Sequence, residues 1–518
     1  MKKSNILILP LLLIPIIFFT LQRSITDNTK IEWSLPKCIT CPPDTDYIQF
    51  ALPVLSIRNP ENIIIPYVIG PSGKSIGYTT NVNLFVKELR NGVLSESINL
   101  TNSIYNTNQP SIKTDRKGTT HLIWGQNLTI PNGRPTIQWS TDIYYSFYNS
   151  GLWSTPESIF HKDTSGQGYA CQAGPLKLRT DYHNRLHLIW KAGDFITGSH
   201  FYHKVEENGK WSEEKLMPFL SADFDFIFDK NDRLHIVTLG PEYSGGYDVN
   251  SVFYHFSDDY GETWSDSVLV HKSGSYRALK VQILLDNRNN IHIVWTKDLG
   301  GNYLGGDAIY HSFSSDGINW TGPIDAVPRS SDGFQYFSTT IDIKNNIHLV
   351  YDLWKGFVLT PTKLCYVIWD GTKWSEPVDI FYDAEMPFIE LDGSNYLHIS
   401  FADINKGYKY YSRTTAPLIT NVDKKKVIPD NFELYQNYPN PFNPETSIEY
   451  RVGSRENIIL KVYDLQGKEI AVLVNEYQSP GVYNYKFSAD ELNLSSGVYF
   501  YQLKAGVFIE TKKFVLLK

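Results

Sequence analysis

The chain has 518 residues, a net charge of −7 and only 3 Met, against 34 Tyr, 27 Phe and 12 Trp. This acidic balance, with no basic block longer than residues 424–426, argues against a nucleic-acid surface, so we expect no nucleic-acid partner. The many aromatic and Gly residues are typical of strands and turns, and the length allows more than one domain.

The N-terminus has the pattern of a secretory signal peptide. Lys2 and Lys3 precede an apolar stretch from Ile6 to Leu21, and polar residues follow, so we assign residues 1–24 to the signal peptide. At about 16 residues the stretch is short for a membrane span, which needs roughly 20 residues. A retained membrane anchor is the alternative.

The four cysteines do not form a metal-binding pattern. Cys38 and Cys41 have the C-x-x-C spacing, but Cys171 and Cys365 stand alone. Because two further ligands at metal spacing are absent, we predict no metal here, and instead a disulfide or a free buried thiol.

An Asp followed six positions later by a His recurs along most of the chain. The six pairs are Asp115/His121, Asp181/His187, Asp229/His235, Asp286/His292, Asp342/His348 and Asp392/His398. Successive histidines lie 66, 48, 57, 56 and 50 residues apart, which is the size of one four-stranded propeller blade. Each His opens an apolar strand, an aromatic strand follows, and a Trp begins a fourth strand in most units. We interpret the Asp/His pairs as structural, because a turn Asp is a natural partner for a buried imidazole.

Two irregularities in the repeat determine the number of blades that we predict. Residues 54–100 are a degraded copy in which Arg58 replaces the Asp and Ile64 replaces the His. The last copy lacks its Trp strand, whereas Trp33 and the residues after it match such a strand at the start of the repeat. We therefore predict an all-β fold, a seven-bladed β-propeller over residues 31–415 closed by an N-terminal strand, with six blades as the alternative.

The C-terminal residues depart from the repeat. After a linker at 416–431, residues 432–518 alternate in short strands and predict a small immunoglobulin-like β-sandwich. The strings NYPNPFNP at 437–444, VYDLQGK at 462–468, SGVYF at 496–500 and KKFVLLK at 512–518 closely resemble the C-terminal sorting domain of type IX secretion cargo.

This resemblance implies partners and a location. Such cargo is recognised by the type IX outer-membrane translocon and is usually cleaved by a sortase-like protease, here near residues 424–431. The protein would then be displayed on the outer cell surface or secreted. An accessory module that only stabilises the propeller is the alternative.

A second resemblance concerns the repeat itself. Residues 257–264, Ser-Asp-Asp-Tyr-Gly-Glu-Thr-Trp, resemble the Asp box (BNR repeat) of sialidase-like propellers, and residues 314–320 are a shorter version. In that motif the Asp holds its own turn and the Trp packs between strands, so it indicates fold more than function.

The longest connections should carry the ligand site, because they all join strands on the face opposite the Asp turns. Aromatic and acidic residues there suit sugar rings and hydroxyl groups, or a peptide loop. The ligand-binding candidates are Trp139, Tyr169, Tyr243, Tyr247, Asp298, Tyr303 and Trp354.

Two hypotheses for function remain open. The preferred one is a surface or secreted propeller, expected to be a monomer, that binds carbohydrate or protein through its long-loop face. The alternative is a sialidase-like glycoside hydrolase or other carbohydrate-active enzyme. The resemblance implies that such an active site needs an arginine cluster, a Tyr nucleophile and acidic groups. Its catalytic candidates are Arg134, Arg277, Arg329, Tyr336 and Glu385. Arg58 is excluded because the repeat places it at the Asp turn. No cofactor motif is present, so we expect no cofactor.

Overall fold

The structure is a computed structural model of the chain. It describes residues 31–41, 47–48, 53–71, 82–102, 106–127, 142–161, 172–194, 198–221, 223–240, 251–272, 278–297, 306–329, 333–355, 360–403, 407–418, 432–437, 439–452, 456–478, 481–506 and 508–517. The chain divides into two compact units, residues 1–418 and 419–518. The expected signal peptide lies outside the described residues. Within them, no helix is long and apolar enough to cross a membrane.

The first unit consists of antiparallel sheets, numbered here in the order of their first strands along the repeat. Sheet 1 contains Tyr47–Ile48, Ser56–Asn59, Asn62–Pro71, Asn83–Arg90, Val93–Leu94 and Ile98–Asn99. Sheet 2 contains Asn106–Thr114, Thr120–Asn127, Asp142–Asn149, Leu152–Trp153 and Glu157–His161. Sheet 3 contains Gln172–Thr180, Leu186–Asp194, Gly198–Glu207, Lys210–Trp211 and Lys215–Leu220.

The remaining sheets of this unit have four strands each. Sheet 4 contains Asp223–Phe228, Leu234–Gly240, Ser251–Ser257 and Val268–Lys272. Sheet 5 contains Ala278–Leu285, Ile291–Lys297, Ala308–Ser314 and Ile324–Val327. Sheet 6 contains Phe337–Ile341, Ile347–Lys355, Thr360–Trp369 and Val378–Tyr382. Sheet 7 contains Ala384–Leu391, Leu397–Asp403 and Lys409–Arg413, and its fourth strand is Lys37–Cys38 from the other end of the unit.

Apolar residues fill the space between each sheet and the next. One buried cluster lies between each consecutive pair of sheets, from sheets 1 and 2 to sheets 6 and 7. A further cluster joins sheet 7 to sheet 1, with Ile39 and Tyr411 packed against Leu55, Ile63 and Tyr67. The order of packing is therefore cyclic, which is the arrangement of a β-propeller.

The N-terminal strand occupies the place of the missing fourth strand. Lys37 pairs with Tyr411, and Cys38 pairs with Tyr410. Trp33 packs edge-on against Phe381 of sheet 6 at 5.8 Å. The Trp residues of sheets 3 to 6 also contact an aromatic ring of the preceding sheet; these contacts are Trp211–Tyr145, Trp264–Phe219, Trp320–Tyr254 and Trp374–His311. Trp33 thus makes for sheet 7 the contact that these residues make for their own sheets.

The repeated Asp and His form a buried brace in each of sheets 2 to 7. The His Nε2 lies 3.0–3.3 Å from the turn carboxylate in three sheets and 3.4–3.9 Å from it in the other three. The His Nδ1 is bonded to a side chain of the third strand, a Tyr hydroxyl in four sheets and a His in two. These third-strand partners are Tyr145, His203, Tyr254, His311, Tyr366 and Tyr411. The structural interpretation of the pairs agrees with this geometry.

Sheet 1 replaces the brace with a contact to its neighbour. Arg58 lies at the end of its strand, donates two hydrogen bonds to the carbonyl of Gly118 and stacks over Tyr148 at 4.9 Å. Gly118 belongs to the Asp turn of sheet 2, so Arg58 lies at the turn end of its strand, as expected from the repeat.

The turns that resemble Asp boxes are held by their own side chains. Asp259 accepts hydrogen bonds from the backbone N–H and the hydroxyl of Thr263, at 2.8 and 2.6 Å. Asp316 accepts the backbone N–H groups of Ile318 and Asn319. These carboxylates stabilise the turns and are not free for a ligand.

The cysteines follow the prediction where they are described. Cys38 and Cys41 form a disulfide beside the N-terminal strand. Cys365 is a free, buried thiol, and Cys171 lies outside the described residues.

The second unit contains two antiparallel sheets around one core. One sheet contains Glu433–Leu434, Glu445–Val452 and Gly481–Ser488, and the other contains Glu456–Tyr463, Glu469–Gln478, Gly497–Ala505 and Phe508–Leu516. The Asn- and Pro-rich string contributes to this core. Phe442 packs against Phe487 and Phe514, and buried Asn437 bonds Tyr501 and Thr446.

The brace predicts a measurable stability loss. His398 is fully buried, 3.0 Å from Asp392 and 2.8 Å from the hydroxyl of Tyr411, so His398→Ala leaves two buried polar groups and a cavity. We expect it to lower the free energy of unfolding by about 2–4 kcal/mol, measured by urea denaturation. His183→Ala, at an exposed His, is the control and should cost less than about 1 kcal/mol. Equal losses would contradict the brace.

The brace also predicts acid sensitivity. Although burial raises it, hydrogen bonds from His187 and Arg185 bring the pKa of Asp181 down to about 2. A carboxyl whose folded pKa lies below the unfolded value contributes stability above the unfolded pKa of about 3.9, and this is lost as pH falls toward 2. Urea midpoints should therefore fall between pH 4 and 2, and less steeply in Asp181→Asn. An identical slope in the variant would contradict this assignment.

Candidate functional site

The innermost strands are Ser56–Asn59 in sheet 1 and the first strand in each of sheets 2 to 7, because from sheet 1 to sheet 7 each packs against the innermost strand of the next sheet. Each ends at a short turn, which in sheets 2 to 7 carries the brace Asp. We call the end of these strands opposite the Asp turns the entrance. The described residues that begin or adjoin these strands include Asp223, Lys280, Tyr336 and Glu385.

Backbone irregularities mark the entrance. The pairing of the first two strands shifts register between Asn108 and Ser111 in sheet 2, and between Glu385 and Phe388 in sheet 7. Sheets 3 and 5 have shifts at the corresponding ends. Met386, in the shifted segment of sheet 7, has a φ of +54°. Such bulges redirect side chains and are common beside binding sites.

Four polar side chains of sheets 6 and 7 come together at the entrance. Tyr336 precedes the first strand of sheet 6, and Asp352 lies in its second strand. Glu385 and Lys409 belong to the first and third strands of sheet 7. Burial raises the pKa of Tyr336, and the charges of Asp352 and Glu385 raise it further. The four groups therefore form one electrostatic cluster, which we call the entrance cluster.

Asp352 is completely buried and accepts three backbone N–H groups. Its Oδ1 accepts from Gln335 at 3.0 Å and Tyr336 at 2.8 Å, and its Oδ2 accepts from Met386 at 3.3 Å. Burial raises the pKa of Asp352 to about 6, and these hydrogen bonds act in the opposite direction. The carboxylate thus connects sheet 6 to sheet 7 where both approach the entrance.

Glu385 and Lys409 share one face of sheet 7. Ala402 pairs with both, so the three residues form a row across the strands with their side chains on the same side. Burial raises the pKa of Glu385, Asp352 raises it further, and Lys409 opposes this. Burial lowers the pKa of Lys409 to about 8, with Glu385 acting against the shift. Shifts of this kind in neighbouring groups are frequent at functional sites.

A second polar layer lies deeper between the sheets. Lys113 of sheet 2 forms a 3.0 Å ion pair with Glu390 of sheet 7. Asp225 of sheet 4 accepts hydrogen bonds from Lys177 and Arg179 of sheet 3. These charges are paired with each other, in contrast to the shifted groups of the entrance cluster.

The structure brings together two of the five catalytic candidates. Tyr336 and Glu385 both belong to the entrance cluster. Arg329 follows the fourth strand of sheet 5 and is exposed, and its Nε lies 3.2 Å from a carboxylate oxygen of Asp307. Arg134 and Arg277 lie outside the described residues.

Among the ligand-binding candidates, Trp354 is described. It is half-buried, and its backbone pairs with Gly333, next to the segment that carries Tyr336. The candidates outside the described residues are Trp139, Tyr169, Tyr243, Tyr247, Asp298 and Tyr303.

Asp352 and Lys409 were not among the sequence candidates. A signal for Asp352 exists, since it stands four residues after His348, where the other repeats have Gly125, Lys191, Leu239, Thr296 and Ala402. An acidic residue inside a strand buried on both faces is rare without a function or a partner. Lys409 has no comparable signal, because a Lys near a strand end usually reaches solvent.

One group of potential metal ligands occurs in the part of the chain that the structure describes. Asp181, His183 and Asp232 each place one ligand atom within 4.8 Å of the others. Asp181 already accepts hydrogen bonds from Arg185 at 2.6 Å and from His187. A cation would lie against the Arg185 guanidinium, so we assign no metal to this group.

The buried Lys409 predicts a gain of stability on substitution. Its folded pKa of about 8 lies below the unfolded value near 10.4. The fold therefore favours the neutral amine, and the stability that this form contributes is complete above the unfolded pKa and is lost as pH falls through about 8, where the buried amine becomes charged. Lys409→Met should therefore raise the free energy of unfolding by about 1–3 kcal/mol at pH 7, and by less at pH 10, in urea denaturation. Lys363→Met, which removes a partner of Asp379, is the control and should not stabilise the protein. A destabilised Lys409→Met protein would contradict this prediction.

No curated protein sequence matches the chain. Solved structures that resemble it include a protein of unknown function from Dyadobacter fermentans, with 12% identity, a TM-score of 0.43, and coverage of 71% of this chain and 95% of that one. A PL25 ulvan lyase has 12% identity and a TM-score of 0.49, covering 75% and 95%. A Hadza microbial sialidase has 13% identity and a TM-score of 0.40, covering 70% and 65%.

The C-terminal unit matches a known family model. Residues 436–517 match the secretion system C-terminal sorting domain, in agreement with the resemblance found in the sequence. The matched region spans nearly all described residues of the second unit, including the Phe442 core. The chain therefore carries a type IX secretion sorting domain, which directs its export to the cell surface or outside the cell.

Proposed function

We propose that the protein is an exported seven-bladed β-propeller that binds carbohydrate at the entrance, through the face that carries the long connections. The blade count is supported by the seven sheets in cyclic contact within the described residues. The sorting domain supports export and contact with the secretion machinery.

The entrance cluster is the observation that carries the proposal. Tyr336 offers a ring and a hydroxyl, Glu385 accepts hydrogen bonds, and the ammonium group of Lys280 lies 6.0 Å from the Tyr336 ring. Sugars present hydroxyl groups around a weakly apolar ring face, so this combination of an aromatic ring with charged donors and acceptors suits them. The braces at the opposite end offer nothing equivalent, because their Asp and His side chains are buried within the sheets.

A protein ligand is the other partner considered for this face. Deep, partly buried charged groups suit the hydroxyls of a sugar better than a protein partner, because charged residues are depleted at the core of protein–protein interfaces. The half-buried Trp354 adds an aromatic group to the same region. Carbohydrate is therefore the preferred ligand.

A carbohydrate-active enzyme is the second candidate, favoured by the proximity of Tyr336 and Glu385. The raised pKa of Glu385 would keep its carboxyl group protonated at higher pH, as a general acid requires. Tyr336 would be the nucleophile of a sialidase-like reaction. That chemistry also needs arginines for a substrate carboxylate, and exposed Arg329 is bound to Asp307 instead.

The C-terminal unit completes the proposal. We assign residues 432–518 to an immunoglobulin-like sorting sandwich and residues 416–431 to the linker that a sortase-like protease cuts. The mature protein would then be a monomer on the cell surface or released from it. The signal peptide at residues 1–24 would deliver the chain across the inner membrane.

Substitutions in the entrance cluster test the binding function. Tyr336→Phe and Glu385→Gln keep the side-chain volume and remove a hydroxyl or a charge, so each should weaken binding on a glycan array at least about tenfold. Tyr182→Phe and Glu262→Gln, at turn positions away from the entrance, are matched controls and should bind like the wild type.

Two results would overturn this function. If the folded wild-type protein binds no glycan on the array, the carbohydrate proposal is wrong. If it instead releases the fluorophore from a fluorogenic sialoside, and Glu385→Gln does not, the enzyme replaces the binding protein.

A further inference from the structure

Asp352 differs from the brace Asp residues of the repeat in the groups that it binds. It is fully buried, and its two oxygens accept backbone N–H groups from Gln335, Tyr336 and Met386. Its own backbone N–H donates to the carbonyl of Tyr336 at 3.1 Å. The residue therefore bonds directly to the segment of Tyr336 and to the residue that follows Glu385.

The segment it holds in sheet 7 is conformationally demanding. Met386 adopts a φ of +54°, a region that residues other than Gly, Asn and Asp enter at some cost in energy. The same segment contains the register shift between Glu385 and Phe388. A hydrogen bond from the Met386 N–H to a buried carboxylate stabilises this bulge, and the bulge sets the direction of Glu385.

We infer that Asp352 is the positioning residue of the entrance, whose single carboxylate fixes Tyr336 and Glu385 in one arrangement for ligand binding. This inference rests on the proposed function and adds to it a residue that does not need to touch the ligand. It acts through the backbone of two neighbouring sheets. Loss of its charge releases both partners together, in contrast to the loss of either ligand-contacting group.

The arrangement should depend on pH. Burial raises the pKa of Asp352 to about 6, and protonation removes the charge that attracts the three N–H groups. The charged or titratable groups around it are Tyr336 and Glu385, with Lys409 beside Glu385 and Lys280 beside Tyr336. As pH falls through about 6, the hydrogen bonds to Asp352 weaken and the bulge at Met386 loses its support.

A test that needs no ligand uses the scarcity of methionine. The chain has 3 Met, and Met1 carries an amine instead of an amide, so the protein labelled with 15N-methionine gives backbone amide signals only from Met217 and Met386. The Met386 signal should shift with a midpoint near pH 6 in the wild type and stay constant in Asp352→Asn, while buried Met217 remains constant in both. A wild-type Met386 signal that does not respond between pH 5 and 8 overturns the inference.

A second test measures binding to the glycan array at pH 7.5. Asp352→Asn should lose at least about tenfold in array binding while its circular dichroism remains that of the wild type. Asp342→Asn, which removes the brace partner of His348 at the other end of the same sheet, is the matched control. It should lower the melting temperature and keep the binding.

The outcomes separate the two proposals. Wild-type binding with equal binding by folded Asp352→Asn overturns the positioning role and leaves the proposed function intact. Absence of glycan binding by the wild type overturns the proposed function, and the Met386 titration then still decides whether Asp352 holds the bulge. Binding by the wild type that decreases below pH 6, with a flat and weak profile in Asp352→Asn, supports the inference.

Discussion

The architecture depends on one arrangement, a buried imidazole held between a turn Asp and a side chain of the third strand. A His inside a sheet that is covered on both faces needs a partner for each ring nitrogen, since an unpaired one costs about 1–3 kcal/mol. In sheets 2 to 7 a third-strand Tyr or His bonds one nitrogen. The turn Asp bonds the other nitrogen in sheets 2, 3 and 7 and lies 3.4–3.9 Å from it in sheets 4 to 6, so three strands of each of these sheets meet at one end. Because the brace is self-contained, the opposite ends of the strands are free to vary, and that is where the entrance cluster lies.

Aspartates have opposite pKa shifts at the two ends of the strands, the Asp turns and the entrance. Asp392 lies beside His398 in a turn, where the bonds it accepts lower its pKa despite burial. Asp352 is enclosed more completely, and burial raises its pKa to about 6 although three N–H groups point at it. The charged carboxylate of Asp392 stabilises its sheet, whereas the burial of the charged Asp352 carboxylate costs the fold free energy. Residues that a fold keeps at such a cost are usually kept for function.

Much of the fold could be predicted because the repeat encodes it locally. The Asp-to-His spacing defined the turn and the two strands around it, and the break in the pattern at Arg58 and Ile64 indicated a further copy. The likeness of Trp33 to the later Trp residues predicted the pairing of the N-terminal strand with sheet 7. The entrance cluster was only half predictable. Tyr336 stands at the end of the long connection after Val327, but Glu385, Asp352 and Lys409 lie within strands, and their proximity depends on how sheets 6 and 7 pack. The roles of Trp139, Tyr169 and the other loop candidates remain predictions.

The pairing of Lys37–Cys38 with Lys409–Arg413 has a consequence for the order of assembly. The backbone N–H of Lys409 donates to Thr40, a contact that spans 369 positions of the chain. Contacts over such separations form late, because the loop between the partners must be ordered first. Sheets 2 to 6 can each form from a continuous stretch, but the circle cannot close until residue 413 is available. A chain that is still being synthesised therefore remains an open arc, and the entrance between sheets 6 and 7 can be completed only after the whole first unit has been made.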